Sequence, residues 1–221
     1  MKIKRAVSME FLGTALLAFA IVGSGLMATN ITSDLGLRLF INALATAIGL
    51  AIVIRLGQKA SGSHFNPAVT LVMLVLKKID SKLSVFYIIA QILGAISGVA
   101  TANFIFDQEA LNRSMTMRDG SNLFVSEVIA TAVLLWIILR FPKRDDLVAT
   151  YVPLWIFGAI LFTSSTAFAN PAMTIARSFT TSITGIDNES VLAFIVAQLI
   201  GASIGLAAAL YITNPKLEAN E

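Results

Sequence analysis

Apolar residues run along this chain in blocks too long for a soluble protein. Residues 6–29, 38–56, 83–104, 123–139, 147–163 and 191–212 form six nearly continuous apolar stretches. Each has about the 17–25 residues that an α-helix needs to cross the hydrocarbon core of a bilayer, which predicts six membrane-spanning helices. The connectors at 30–37, 77–82, 107–122, 140–146 and 185–190 are polar, and the one at 107–122 reads as a plain connecting loop between two halves. The basic start, Met1 to Arg5, followed by an apolar run, has the outline of a signal peptide. The run is longer than a signal core, so it is expected to be a retained first span. Arg55 falls near the end of the second stretch, where a long side chain can reach the interface.

Two shorter apolar segments break this pattern. The first begins Ser63-His64-Phe65-Asn66-Pro67-Ala68-Val69-Thr70, and the second Ala167-Phe168-Ala169-Asn170-Pro171-Ala172-Met173-Thr174. Asn is a favoured N-cap and Pro is favoured at the first helical position, so each segment is a loop turning into a helix. Neither helix can cross a bilayer before it is interrupted, by Lys77-Lys78-Ile79-Asp80 in one case and by Gly185-Ile186-Asp187-Asn188 in the other. They are expected to dip into the membrane and stop.

The two halves match in order. Glu10 with Thr14 answers Glu127 with Thr131, Asn66 answers Asn170, and Ala90-Gln91-Ile92-Leu93-Gly94-Ala95 answers Ala197-Gln198-Leu199-Ile200-Gly201-Ala202. Each half holds three full spans, an odd number, so the second half starts on the opposite face of the membrane. The expectation is one membrane domain over 1–221 with inverted repeats at about 6–104 and 122–212. If the N-terminus is cytoplasmic, twelve Lys and Arg residues fall on that side, from Lys2 to Lys216, while Arg38, Arg113, Arg118 and Arg177 fall on the other. This bias places both termini in the cytoplasm and the chain in the inner membrane of the cell.

Composition sharpens the picture chiefly by exclusion. Hydrophobic residues make up 57% of the 221 and charged ones 13%, with a mean hydropathy of +0.82, so membrane lipid is the expected surroundings. With no cysteine and one histidine, no metal site, thiolate chemistry or cofactor is expected. The pI near 9.3 reflects basic residues at span ends rather than along one face, so no nucleic-acid partner is expected. No nucleophile, base and orienting group can be grouped from these motifs, which argues against an enzyme.

Irregular backbone at membrane depth is tolerated only where protein buries it or a watery cavity adjoins it. Two helix starts meeting near the midplane from opposite faces therefore imply an interior path, with Asn66 and Asn170 as its central amide donors and with both positive helix ends opposing cations. That suits a passive conduit for neutral solutes. Of the acidic residues, only Glu10 and Glu127 lie inside spans. They are expected to be scaffold, accepting hydrogen bonds from loop N–H groups, against the rival role of a proton relay. His64 is expected to be a hydrogen-bonded loop residue rather than a pH gate. Gly94, Ala95, Gly98 and Gly201, Ala202, Gly205 recur at helix-packing spacing.

The doubled Asn-Pro-Ala motif and the paired Glu-x-x-x-Thr and Ala-Gln-x-x-Gly-Ala segments resemble the major intrinsic protein family, the aquaporins and aquaglyceroporins, from Val7 to about Ile212. The resemblance implies an all-α membrane fold of six transmembrane helices plus two re-entrant half-helices in an inverted repeat. It also implies a homotetramer with a pore in each subunit and passive transport of water or small uncharged solutes. The family's second motif normally continues Asn-Pro-Ala-Arg, and that arginine lines the narrow filter. Here Met173 stands in its place and Arg177 follows one helical turn later. Helical side chains lean toward the N-terminus, so Arg177 is expected to reach back into the filter, the alternative being an outer-vestibule position. An ungapped count from the two asparagines puts Thr46, Gly158 and Ala167 at the other filter positions, with Ile48 and Ile160 or Phe162 as alternatives if the loops are short. The ungapped filter is wide, without an aromatic. It resembles those of members that pass glycerol, urea or undissociated metalloid acids such as arsenous acid, in a bacterial branch of the family. The rivals are a water-selective pore, an ion-coupled secondary transporter and a closed structural relative.

Overall fold

The structure, a computed structural model, describes residues 2–142 and 144–212. Lys143 and the tail containing Lys216 lie outside the described residues. Among the described residues eight α-helices follow in order: α1 Lys2–Ile31, α2 Leu35–Ser61, α3 Pro67–Val75, α4 Ser81–Ile105, α5 Ser121–Arg140, α6 Asp145–Phe162, α7 Pro171–Ala176 and α8 Asn188–Ile212, with a 3-10 turn at Arg177–Phe179. Among the described residues six helices are long and apolar enough to cross a membrane, namely α1, α2, α4, α5, α6 and α8.

The spans begin two to four residues before the apolar stretches that predict them, and α2 also runs five residues past the end of its stretch, in part because capping favours it. Asp34 accepts a hydrogen bond from the Leu37 amide at the start of α2, and Asp80 does the same for Leu83 at the start of α4. At the far end of α2, Gly62 takes the left-handed conformation (φ +86°) that closes a helix. The second half-helix is shorter than expected: α7 ends at Ala176 and the 3-10 turn at Phe179, well before Gly185. The hydroxyls between these points compete for the backbone. Thr180 Oγ1 accepts from the Ser182 amide while donating to Asn103 Oδ1, and Ser182 Oγ both accepts from the Thr184 amide and pairs with the Thr184 hydroxyl.

Helix α1 packs along α4 and α5 along α8, while α2 touches both α1 and α6. Both main pairs are parallel and share one device. A Cβ on Gly94 or Gly98 of α4 would strike the carbonyl oxygens of Phe11 and Ala15 on α1; a Cβ on Gly201 or Gly205 of α8 would strike those of Val128 and Ala132 on α5. Only glycine lets these backbones approach so closely. The polar-to-apolar order is inverted relative to a soluble protein: Leu12, Leu16, Ile48, Ile52, Leu93 and Ile204 are exposed, while Glu10, Gln91, Glu127 and Gln198 are fully buried.

Candidate functional site

Between the spans, the chain at 62–66 and at 163–170 runs inward in an irregular path. The two loops share a backbone pattern residue for residue. Gly62, Ser63 and Phe65 have positive φ, and so do Thr166, Ala167 and Ala169 at the matching places before the second asparagine. For L-residues this costs on the order of 1 kcal/mol each, so something must hold the loops.

Glu10 and Glu127 hold them. Glu10 Oε1 accepts from the His64 amide at 3.0 Å and the Ser61 hydroxyl at 2.6 Å; Oε2 accepts from the Phe65 amide at 2.6 Å and Gln91 Nε2 at 2.7 Å. Glu127 accepts from the Phe168 amide at 2.8 Å, the Ala169 amide at 2.9 Å and Gln198 Nε2 at 2.7 Å. Gln91 and Gln198 donate further to Thr70 and Thr174, whose hydroxyls bond back to the carbonyls of Asn66 and Asn170. A buried carboxylate is expensive unless donors surround it, and the loop amides need an acceptor. Each requirement satisfies the other. His64 belongs to the same network, with Nδ1 3.1 Å from the Thr70 hydroxyl and its ring edge-on to Tyr87.

The two half-helices start tip to tip. Asn66 Oδ1 caps its own helix by accepting from the Ala68 amide, and Asn170 Oδ1 does so for Ala172. Pro67 and Pro171 occupy the first helical positions. The side-chain amides then cross over: Asn66 Nδ2 donates to Ala169 O at 2.8 Å, and Asn170 Nδ2 to Phe65 O at 2.9 Å. Each amide nitrogen carries two hydrogens, so one bond leaves a second hydrogen on each.

A cavity of about 360 Å³ adjoins both asparagines. Its apolar walls come from every fourth residue of α2 and α6: Thr46, Leu50 and Ile54 on one side, Val148, Val152, Ile156 and Ile160 on the other. It extends to Lys78 and Asp145 at one mouth, where Gln58 Nε2 bonds Asp145 Oδ1 at 2.8 Å, and ends toward the other face at Phe168, Met173 and Arg177.

Of the five filter positions expected from sequence, Thr46, Ala167, Met173 and Arg177 line this cavity and Gly158 does not. The stripe on α6 falls on 152, 156 and 160, and position 158 lies about half a turn away. There its Cβ would meet the ring of Phe162, which is itself exposed. The α6 residue at this level is Ile160, one of the alternatives; Ile48 and Phe162 point outward. Arg177 is buried at 5% exposure: its Nε donates to Thr184 O, and its guanidinium carbon lies 3.3 Å from the centroid of the Phe168 ring.

The sequence reading missed two residues here. Phe168 lines the cavity, so the wall is not free of aromatics. The repeat itself pointed to it, because Phe168 precedes Asn170 by two, as His64 precedes Asn66. The other is Arg118. The connection at 106–120 is more than a plain loop: Asn112 and Ser114 amides donate to Phe179 and Ser178 carbonyls, and the Asp187 amide donates to Thr116 O. Arg118 follows, its guanidinium carbon 5.0 Å from the Phe168 centroid. Burial pushes its pKa below the usual arginine value, and the nearby Glu127 charge partly offsets this.

Six membrane helices around a cavity whose midpoint is made by two opposed helix starts define a membrane channel. The comparisons agree. Residues 1–211 match the sequence profile described as "Major intrinsic protein". The chain is 41% identical over 209 residues to the aquaglyceroporin AqpS of Rhizobium meliloti (strain 1021), covering 93% of this chain and 89% of that one. It is 32% identical over 218 residues to aquaporin TIP2-1 of Arabidopsis thaliana, covering 94% and 86%. Among solved structures, the aquaglyceroporin from Plasmodium falciparum superimposes with a TM-score of 0.76 at 25% identity, over 98% of this chain and 99% of the other. The chain belongs to the major intrinsic protein family. It is a multi-pass membrane channel, and this family is one of channels rather than enzymes.

Proposed function

We propose that this channel conducts water and small uncharged solutes, among them glycerol, urea and undissociated metalloid acids such as arsenous acid, passively and down their gradients. The observation that carries the proposal is the filter-level wall: Arg177 is buried in it beside Phe168, with Thr46, Ile160, Ala167 and Met173 also lining the cavity. A guanidinium donates to solute hydroxyls, while the apolar groups accept the carbon skeleton of a polyol. The same cation, with the positive ends of α3 and α7 at the midplane, opposes cations and protons. The relatives described as aquaglyceroporins support the wider solute range.

Ile160 and Phe168 take up more of the wall than glycine and no aromatic would, which favours water selectivity as the second reading. Ion-coupled transport finds little support, since Glu10 and Glu127, the repeat-related carboxylates of the spans, are bonded to the loops. We further propose inverted repeats at about 6–104 and 122–212, a homotetramer with a pore in each subunit, an inner-membrane location and cytoplasmic termini.

Stopped-flow light scattering on proteoliposomes tests the solute range, comparing water with glycerol and urea, with and without a proton gradient. Fast, gradient-independent entry of glycerol or urea is expected. Water flux alone would establish the water-selective reading instead, and dependence on the gradient would overturn passive conduction.

A further inference from the structure

Three consecutive carbonyl oxygens beside the filter are divided between two arginines. Arg177 Nε donates to the middle one, Thr184 O. Arg118 takes the two on either side: its Nε donates to Gly185 O at 2.7 Å and an Nη to Ile183 O at 3.1 Å, while a longer 3.5 Å contact reaches Ser165 O, at the entry to the second loop. Both guanidiniums also rest on the Phe168 ring. The Arg118 amide is tied in turn to the Ser190 hydroxyl at the start of α8, at 3.0 Å. Arg177 and Phe168 line the cavity, and Arg118 stands behind them.

The segment at 180–187 has neither helix nor strand to fix the direction of its carbonyls. The Thr184 carbonyl that orients Arg177 is therefore set by whatever grips its neighbours. A guanidinium suits this task, because its planar fork of N–H donors can hold two carbonyls at once with little loss of freedom. Phe168 gives a second route between the two cations, since displacing the ring moves the surface on which Arg177 lies.

We propose that Arg118 is a positioning residue of the filter. It clamps the carbonyls at 183 and 185 and the Phe168 ring, so that the Arg177 guanidinium is held in the cavity wall, and through this it sets the channel's preference between solutes and water. The proposal rests on Arg177 being the filter cation. The competing account is that Arg118 only anchors the connection between α4 and α5.

A four-member cycle separates these possibilities: the unaltered channel, Arg118→Gln, Arg177→Ala and the double variant, each reconstituted and assayed for the ratio of glycerol to water permeability. Arg118→Gln is expected to move the ratio several-fold in the direction that Arg177→Ala moves it, and the double variant to match Arg177→Ala alone. An equal shift in both backgrounds would mean that Arg118 acts through loop folding and not through Arg177, and would overturn the proposal. So would an unchanged ratio in Arg118→Gln. An unchanged ratio in Arg177→Ala would instead overturn the filter reading beneath it. If Arg118→Gln does not assemble, Arg118→Lys carries the same cycle, because it keeps the charge but cannot span both carbonyls. It is expected to give a smaller shift that vanishes in the Arg177→Ala background, and a shift that persists there would overturn the proposal.

Discussion

Ile160 and Gly158 stand two positions apart on α6 and face opposite ways, the first into the cavity and the second toward the exposed ring of Phe162. Substitutions at the two should therefore part company. Ile160→Gly removes a side chain from the cavity wall and should raise glycerol permeability several-fold relative to water in reconstituted vesicles. Gly158→Ala meets only the movable end of the Phe162 side chain and should leave that ratio unchanged. The reverse pattern would restore the ungapped register. The motif asparagines were legible in the sequence because they occur twice in matched surroundings. Position 160 emerged only as one of several alternatives, because its register depends on the length of the connection from α6 to Asn170, which a count across a loop cannot fix. Arg118 left still less trace. Its partners are backbone carbonyls, and every residue carries one, so no side-chain pattern announces the contact.

At the scale of elements, the chain relies on buried polar ties and on close helix approach, since between helices in lipid the hydrophobic effect contributes little. Glycines on α4 test the second device. Gly98→Ala places a methyl group against the carbonyl oxygen of Ala15, which cannot move unless α1 moves. Overpacking of this kind costs about 1–3 kcal/mol and should lower the midpoint of thermal unfolding in detergent. Gly23→Ala on α1 is the control: its nearest neighbour is 4.0 Å away, and alanine is the better helix former, so the midpoint should hold or rise. Equal losses at both sites would mean that helix approach is not what Gly98 serves. The spans themselves were readable from hydropathy, but their ends were not, because Asp34, Asp80 and Gly62 extend the helices by capping beyond the apolar stretch. The second half-helix was overestimated for the opposite reason. Past Ala176 only Phe179 and Ile183 are apolar before Gly185, and the hydroxyls of Thr180 and Ser182 take the backbone amides of Ser182 and Thr184.

For the whole molecule, orientation decides which compartment the Arg177 rim faces. Parallel packing of α1 on α4 and of α5 on α8 fixes the spans relative to one another, while the side of the membrane on which they begin rests on the distribution of Lys and Arg. A chain without cysteine allows this to be measured with single introduced thiols. Ser33 lies exposed in the turn between α1 and α2, and Ser81 lies exposed at the first residue of α4, on the opposite face. In intact bacterial cells expressing the channel, Ser33→Cys should react with a membrane-impermeant maleimide, and Ser81→Cys only after the membrane is opened. The two sites lie at opposite ends of the same bundle, so labelling of Ser81→Cys alone would reverse the topology outright. It would put the Arg177 end of the cavity in the cytoplasm and the Lys78–Asp145 mouth outside, and would show that charge counting had failed in a chain where Arg118 and Arg177 bind the carbonyls of residues 183–185 as well as counting toward sidedness.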